Sequence, residues 1–124
     1  MRGAHFDALW LRGWSQPHDV GLIGRCLRER TPILANDVHA EPDYEHTPET
    51  SDVQAELVVP LLVDGYIWGA INVEEVASDA FDHEDVILLS TLANQVGAAL
   101  TAAALRYRLK DAEAAVDRLG TSEG

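Results

Sequence analysis

The sequence predicts an α+β domain, an antiparallel sheet with flanking helices that ends in a long C-terminal helix. Three observations predict it. Two β-rich runs, about 55–63 and 66–75, are joined by Asp64-Gly65, and a two-residue Asp-Gly turn matches the right-handed twist of a hairpin. From His83 to about Leu119 nothing breaks a helix, because Gly97 weakens it only locally. The 124 residues, 13.5 kDa, are enough chain for one core but not two.

Each element can be justified in order. Residues 6–11 read as a short strand with Phe6, Ala8 and Trp10 on one face. Ser15-Gln16-Pro17-His18 reads as a loop. Asp19 is placed to cap a helix from about Val20 to Arg30. Leu22, Ile23, Cys26 and Leu27 form the apolar side of that helix, and Arg25, Arg28 and Arg30 face outward or favour its negative end. Pro32 stops it, and Ile33-Leu34-Ala35 is a short strand. Residues 36–52 are irregular and acidic, with prolines at 42 and 48; a loop of this length in a compact domain is usually functional. In the hairpin, Pro60 removes a ladder donor and predicts an edge strand or a bulge there. Gly69 suggests a bulge or a close backbone approach.

The start of the last helix is well specified. Asp82 caps it, Asp85 completes a capping box, and Phe81 and Val86 stand as a hydrophobic staple. About 37 residues would run about 55 Å at 1.5 Å per residue, and a small domain is about 30 Å across. The far end must project or find a partner. Val86, Leu89, Ala93, Val96, Leu100, Ala103 and Tyr107 recur at alternating steps of three and four, enough to cover a sheet. A second stripe of Leu105, Leu109, Ala112, Val116 and Leu119 has no sheet left to cover. That period is a coiled-coil seam, and it predicts pairing with a second copy.

Composition narrows the function. Asp and Glu number 21 against 9 Lys and Arg, a formal net charge of -12. Between Arg30 and Arg106 there is no Lys or Arg and there are 14 acidic side chains. A nucleic-acid partner needs a basic face to displace counterions, so it is excluded. An anionic membrane surface is disfavoured for the same reason. No uninterrupted apolar run reaches the 18 residues of a membrane span, and no membrane insertion is expected. One cysteine, Cys26, excludes an internal disulfide and fits a reducing cytoplasm.

The order of elements and the residues at their joints resemble a GAF domain, the small sensory domain related to PAS. The matching pieces are Gly21-Leu22-Ile23-Gly24-Arg25, Thr31-Pro32-Ile33-Leu34, Asn36-Asp37-Val38, Asp43-Tyr44, and Ala55-Glu56-Leu57-Val58-Val59-Pro60-Leu61. They continue with Asp64-Gly65, Trp68-Gly69-Ala70-Ile71-Asn72-Val73-Glu74, Phe81-Asp82-His83-Glu84-Asp85 and Leu92-Ala93-Asn94-Gln95. The resemblance covers about residues 20–105. It implies a pocket between the sheet and the loop at 36–55. It also implies that the chain starts late, without the family's N-terminal helix and first strand.

Several chemistries can be weighed on these residues. One GAF branch, the free methionine-(R)-sulfoxide reductases, is similar through Gly21–Gly24, Asn36-Asp37-Val38 and Glu56 to Glu74. That chemistry needs a thiolate nucleophile and a resolving cysteine. The branch places cysteines in the turn where this chain has Ile23 and in the acidic loop, where it has none. Its acidic amine ligands fall at Glu56, Asn72 and Glu74, so one is an amide here. The cyclic-nucleotide branch's motif survives only as Phe81 and Asp85, with Val86 for its glutamate and no lysine nearby. His39 and His46 stand among Glu41, Asp43, Glu45 and Glu49, where a divalent ion or a haem could bind, but a solvated acidic loop is the simpler expectation. A bilin would need a cysteine beside a histidine, and Cys26 has none.

The expectation is therefore a GAF-like sensor over residues 1–105, followed by a helical extension over 106–124. It is expected to be non-enzymatic, with no catalytic residues and no metal site. A small-molecule ligand sits under the 36–55 loop against Asp37, Tyr44, Glu56, Trp68 and Asn72, and a dimerising C-terminal helix transmits its presence. No cofactor is assigned. The ligand should be neutral, cationic or metal-bridged. The alternative is a degenerate GAF domain that acts only as a dimerisation scaffold, with its pocket filled by its own side chains.

Overall fold

The computed structural model describes residues 20–48 and 51–122. The strand expected at 6–11, the loop at 15–18 and the cap at Asp19 lie outside the described residues. The first helix, α1, spans Gly21–Glu29, and its N-cap is Val20, whose side chain makes no capping bond. Gly21 has φ 71°, a left-handed conformation that glycine adopts without steric cost. Its role is thus the turn into the helix. Arg30 closes α1 at φ 58°, its N–H donating to the Cys26 carbonyl at 2.8 Å.

The sheet contains β1 (Ile33–Ala35), β2 (Ala55–Val63) and β3 (Tyr66–Glu75), in the order β1-β2-β3 and antiparallel throughout. Asp64 and Gly65 both have positive φ, 52° and 79°, the geometry of the expected hairpin turn. β2 lies between its two neighbours, but the edge or bulge expected from Pro60 is met locally. β1 pairs with β2 only from Glu56 to Val58, so Pro60 lies beyond that ladder and its missing N–H breaks no bond to β1. The register slips one residue further on, where Leu61 pairs with Gly69 but Leu62 pairs with Ile67. Trp68 is therefore the extra residue of a bulge on β3, beside Gly69 as the sequence suggested.

β2 separates two apolar layers. On one face Leu22 and Cys26 of α1 pack with Ile33, Ala35, Val58 and the loop residues Val38, Tyr44 and Val53. On the other, Leu57, Val59, Leu61 and Val73 meet Phe81, Leu89 and Ala93. A strand covered on both sides needs a continuous apolar run, and Leu57-Val58-Val59 supplies it, each with no exposed surface.

The second helix, α2, spans His83–Ser122, about 60 Å of rise and about twice the width of a small domain. The expected capping box is present. The Asp82 N–H donates to Asp85 Oδ2 at 3.0 Å and the Asp85 N–H to Asp82 Oδ1 at 3.0 Å. Phe81 and Val86 meet in one apolar layer across the cap. α2 is continuous across residues 105 and 106. Thr101 ties it to the hairpin turn: the hydroxyl accepts from the Asp64 N–H at 2.8 Å and donates to the Gly97 carbonyl at 2.9 Å. On the α1 side, Arg30 Nη2 donates to the Gly65 carbonyl at 3.1 Å. Both helices thus grip the hairpin turn.

By length and composition this helix could cross a membrane, with mean hydropathy 1.5 over an 18-residue stretch. The sequence has no unbroken apolar run there, but alanines and uncharged polar residues keep the average high. One side of that stretch, including Leu89, Ala93, Val96 and Leu100, already covers the sheet.

Candidate functional site

The face of the sheet under α1 and the acidic loop carries the polar residues singled out in the sequence. Cross-strand partners point to the same face, so Ala35, Glu56 and Glu74 share it, as do Ile33, Val58 and Asn72. Glu56 is only 5% exposed. Its Oε2 accepts a hydrogen bond from Asn72 Nδ2 at 3.1 Å. Glu74, half-buried, lies directly opposite Glu56 in the ladder. Register thus brings two carboxylates together at this end of the sheet.

The loop above it is tied down by its own residues and by α1. Asp37 is exposed and caps a short 3-10 turn, Val38–Ala40, by accepting from the His39 N–H at 3.1 Å. Tyr44 is buried in the apolar layer with Leu22, Val38 and Val53, and its ring meets His46 edge-on at 4.6 Å. His46 in turn stacks on His39 at 5.4 Å, with the planes 14° apart. Arg25 Nη1 donates to Glu41 Oε2 at 2.9 Å, and Arg25 Nε lies 3.6 Å from Glu29 Oε1. The Glu41 hydrogen bond raises the Arg25 pKa above its ordinary value, against the opposing effect of burial. Among the described residues no three His, Cys, Asp or Glu side chains stand close enough together to hold a metal ion.

Trp68 lies elsewhere on the same side of the sheet. It is 66% exposed and lines a groove of about 340 Å³ with Leu27, Arg28, Ile67 and Gly69. The bulge explains why adjacent residues Ile67 and Trp68 both reach it. The five candidates therefore divide. Glu56 and Asn72 come together, Tyr44 joins the core, Asp37 serves a turn, and Trp68 marks a separate groove. Arg25 was overlooked as a site component, and Glu74 was singled out only as a ligand position of the reductase branch. Arg25 brings a cation to the acidic loop, although the sequence has no Lys or Arg from 31 to 105. Glu74 is placed by register, and the signal for it was its alternation with Asn72 on one strand.

The sole cysteine is fully buried on α1. Burial, with a further contribution from Glu29, pushes the Cys26 thiol from 9.0 up to about 11. The folded state thus prefers the neutral thiol, and its stability should fall as pH rises from about 9 toward 11. At pH 8 we expect iodoacetamide to alkylate Cys26 at a negligible rate in native protein and readily in urea. Rapid native labelling would show an accessible thiolate instead.

A GAF domain family model matches residues 8–101. The chain belongs to the GAF domain family. Among solved structures it is similar to the GAF domain of a phosphoenolpyruvate-protein phosphotransferase from Coxiella burnetii, with TM-score 0.72 and 24% identity over 83% of this chain and 62% of that one. It is also similar to a type II free methionine-R-sulfoxide reductase from Thermoplasma acidophilum, with TM-score 0.60 and 27% identity over 65% and 56%. A third is the free methionine-R-sulfoxide reductase from Neisseria meningitidis, in complex with its substrate, with TM-score 0.61 and 28% identity over 66% and 48%. The region matched is about half to three fifths of those proteins' length. No curated protein matches the sequence. The α+β GAF fold expected from the sequence is the fold observed.

Proposed function

We propose that this GAF domain is a non-enzymatic regulatory module of the cytoplasm. It binds a small ligand bearing an amine or other cationic group, and signals through α2 to a second copy of itself. The observation that carries the reading is the buried Glu56 carboxylate, hydrogen-bonded to Asn72 and opposite Glu74. The similarity to free methionine-R-sulfoxide reductases makes free amino acids the first ligands to try. Thiol chemistry is disfavoured because Cys26 is the one cysteine in the sequence, and it is buried and held neutral.

The test is calorimetry of the full chain with free methionine sulfoxide and a panel of free amino acids and polyamines, alongside a thiol-coupled reductase assay. At least one amine-bearing compound should bind without turnover. Glu56→Gln should weaken that binding about tenfold or more, in line with the ~1.5–3 kcal/mol of a charge-assisted hydrogen bond. Binding that survives Glu56→Gln unchanged, or steady reduction of the sulfoxide, would sink the proposal.

A second reading has one observation in its favour. The loop's own side chains, Val38, Tyr44 and Val53, fill the layer beneath it, as a pure dimerisation scaffold would require. Failure of every compound to bind, with dimerisation intact, would select that reading.

A further inference from the structure

The bulge in β3 turns an indole outward, and nothing in the packing of the chain asks for it. The hairpin turn pairs Val63 with Tyr66 and Leu62 with Ile67. Without a slip Trp68 would come next, opposite Leu61 and on the face that α2 covers. Gly69 takes that place instead. It has no positive φ, and a Cβ there would meet nothing within 4 Å. A side chain could therefore stand opposite Leu61, and crowding does not explain the slip. Its effect is to re-aim residue 68 to the α1 side, a use that bulges often serve beside functional sites. Any small polar residue would suit that outer position, yet an indole stands there with 66% of its surface exposed. Half-buried Leu27 and Ile67, the Arg28 side chain and Gly69 complete the groove of about 340 Å³, at the lower end of the range for small-molecule sites.

Charge at this groove is the reverse of that in the rest of the domain. Between residues 13 and 105 the only Lys or Arg side chains are Arg25, Arg28 and Arg30, all on α1 or its cap. Arg25 is engaged with Glu41 and Glu29. Arg28 stands at the groove, and Arg30 reaches the Gly65 carbonyl in the adjoining turn, whose own carboxylate is Asp64. We propose that this groove is a second ligand site, separate from Glu56 and Asn72, and that it takes a small planar aromatic carboxylate. The ring of the ligand stacks on Trp68 against Leu27 and Ile67. Its carboxylate accepts from the Arg28 guanidinium, whose planar fork matches it. Trp and Arg are also the side chains that most often dominate binding energy at such surfaces. The two sites then select opposite charges, and binding here is independent of whether anything binds at Glu56.

The test is calorimetry of the full chain with cinnamate as the probe, beside its uncharged counterpart cinnamamide. Cinnamate should bind with a dissociation constant on the order of 1 mM or tighter, as expected for a ligand of this size, and cinnamamide about fivefold more weakly. Trp68→Ala should weaken cinnamate binding about tenfold. Arg28→Gln should weaken it about fivefold and erase the preference over the amide. Both substitutions replace exposed side chains, so the thermal midpoint should stay within about 2 °C. Glu56→Gln should leave the affinity for cinnamate unchanged. No saturable binding, equal affinity for the amide, or binding that survives either Trp68→Ala or Arg28→Gln would each overturn the proposal. So would loss of cinnamate binding in Glu56→Gln, which would assign the ligand to the other site. Failure of amine-bearing compounds to bind at Glu56 would not touch it.

Discussion

Gly97→Ala is expected to destabilise the domain by about 2 kcal/mol, although alanine is the better helix former. Helix propensity alone favours the substitution by about 1 kcal/mol. The tertiary contact opposes it. A Cβ on Gly97 would overlap the carbonyl oxygen of Leu62 and lie 3.3 Å from its carbonyl carbon. Both atoms are backbone at the bulged end of β2, so no side-chain rotation can relieve the clash. Overpacking of this kind costs about 1–3 kcal/mol, and here the upper end applies because α2 must lift from the strand. The Thr101 bonds to Asp64 and to the Gly97 carbonyl would be strained with it. Urea titration should show the midpoint falling, and the thermal midpoint should drop by about 8 °C. Gly120→Ala is the control, because nothing lies within 4 Å of a Cβ there; it should be neutral or slightly stabilising. A stabilised Gly97→Ala would mean that the helix does not sit this close to the sheet.

Asn36→Ala is the second large effect, again about 2 kcal/mol. Asn36 lies just past β1 and reaches 45 residues along the chain. Its Nδ2 donates to the Phe81 carbonyl at 2.9 Å, and its Oδ1 accepts from the Phe81 N–H at 3.1 Å. Its own carbonyl accepts from the Asp79 N–H at 3.0 Å. Alanine removes the two side-chain bonds and leaves two partly buried backbone groups to find other partners, at about 1 kcal/mol or more each. The loss falls where Phe81 enters the core and immediately before the Asp82 cap of α2. Hydrogen exchange at the Phe81 amide should accelerate together with the drop in denaturation midpoint. A midpoint shift worth less than about 0.5 kcal/mol would show that water replaces the side chain.

These two sites mark the limit of what could be read along the chain. Gly97 read as a weak point in a helix, and Asn36 as one piece of a family pattern. Each acts through a partner 35 or more residues away, and periodicity carries no information about that. The same holds for the acidic stretch. Its lack of Lys and Arg suggested uncompensated carboxylates, yet Arg25, 16 residues before Glu41, pairs with that side chain. Elements whose causes are local were legible: the positive-φ hairpin turn, the Asp82–Asp85 box and the Phe81–Val86 staple all form where their residue types stand. Of the candidate site, Glu56 and Asn72 were legible because strand alternation and a diagonal neighbour are short-range facts. Trp68 was read from strand phase, without the bulge that makes it an extra residue between paired neighbours.

The sequence by itself determined the elements and their order, since turn chemistry, capping and hydrophobic period act within a few residues of each other. It also determined the net charge of -12 and the single thiol, and with them the classes of partner that the chain disfavours. Only the tertiary structure decided which carboxylates meet, because register places Glu74 opposite Glu56 and burial is a property of the packed sheet. Only the packed structure buried Cys26 and raised its pKa to about 11, because desolvation depends on what surrounds a group. And only the docking of α2 on the sheet sorted its apolar residues into those the core consumes and those left facing outward.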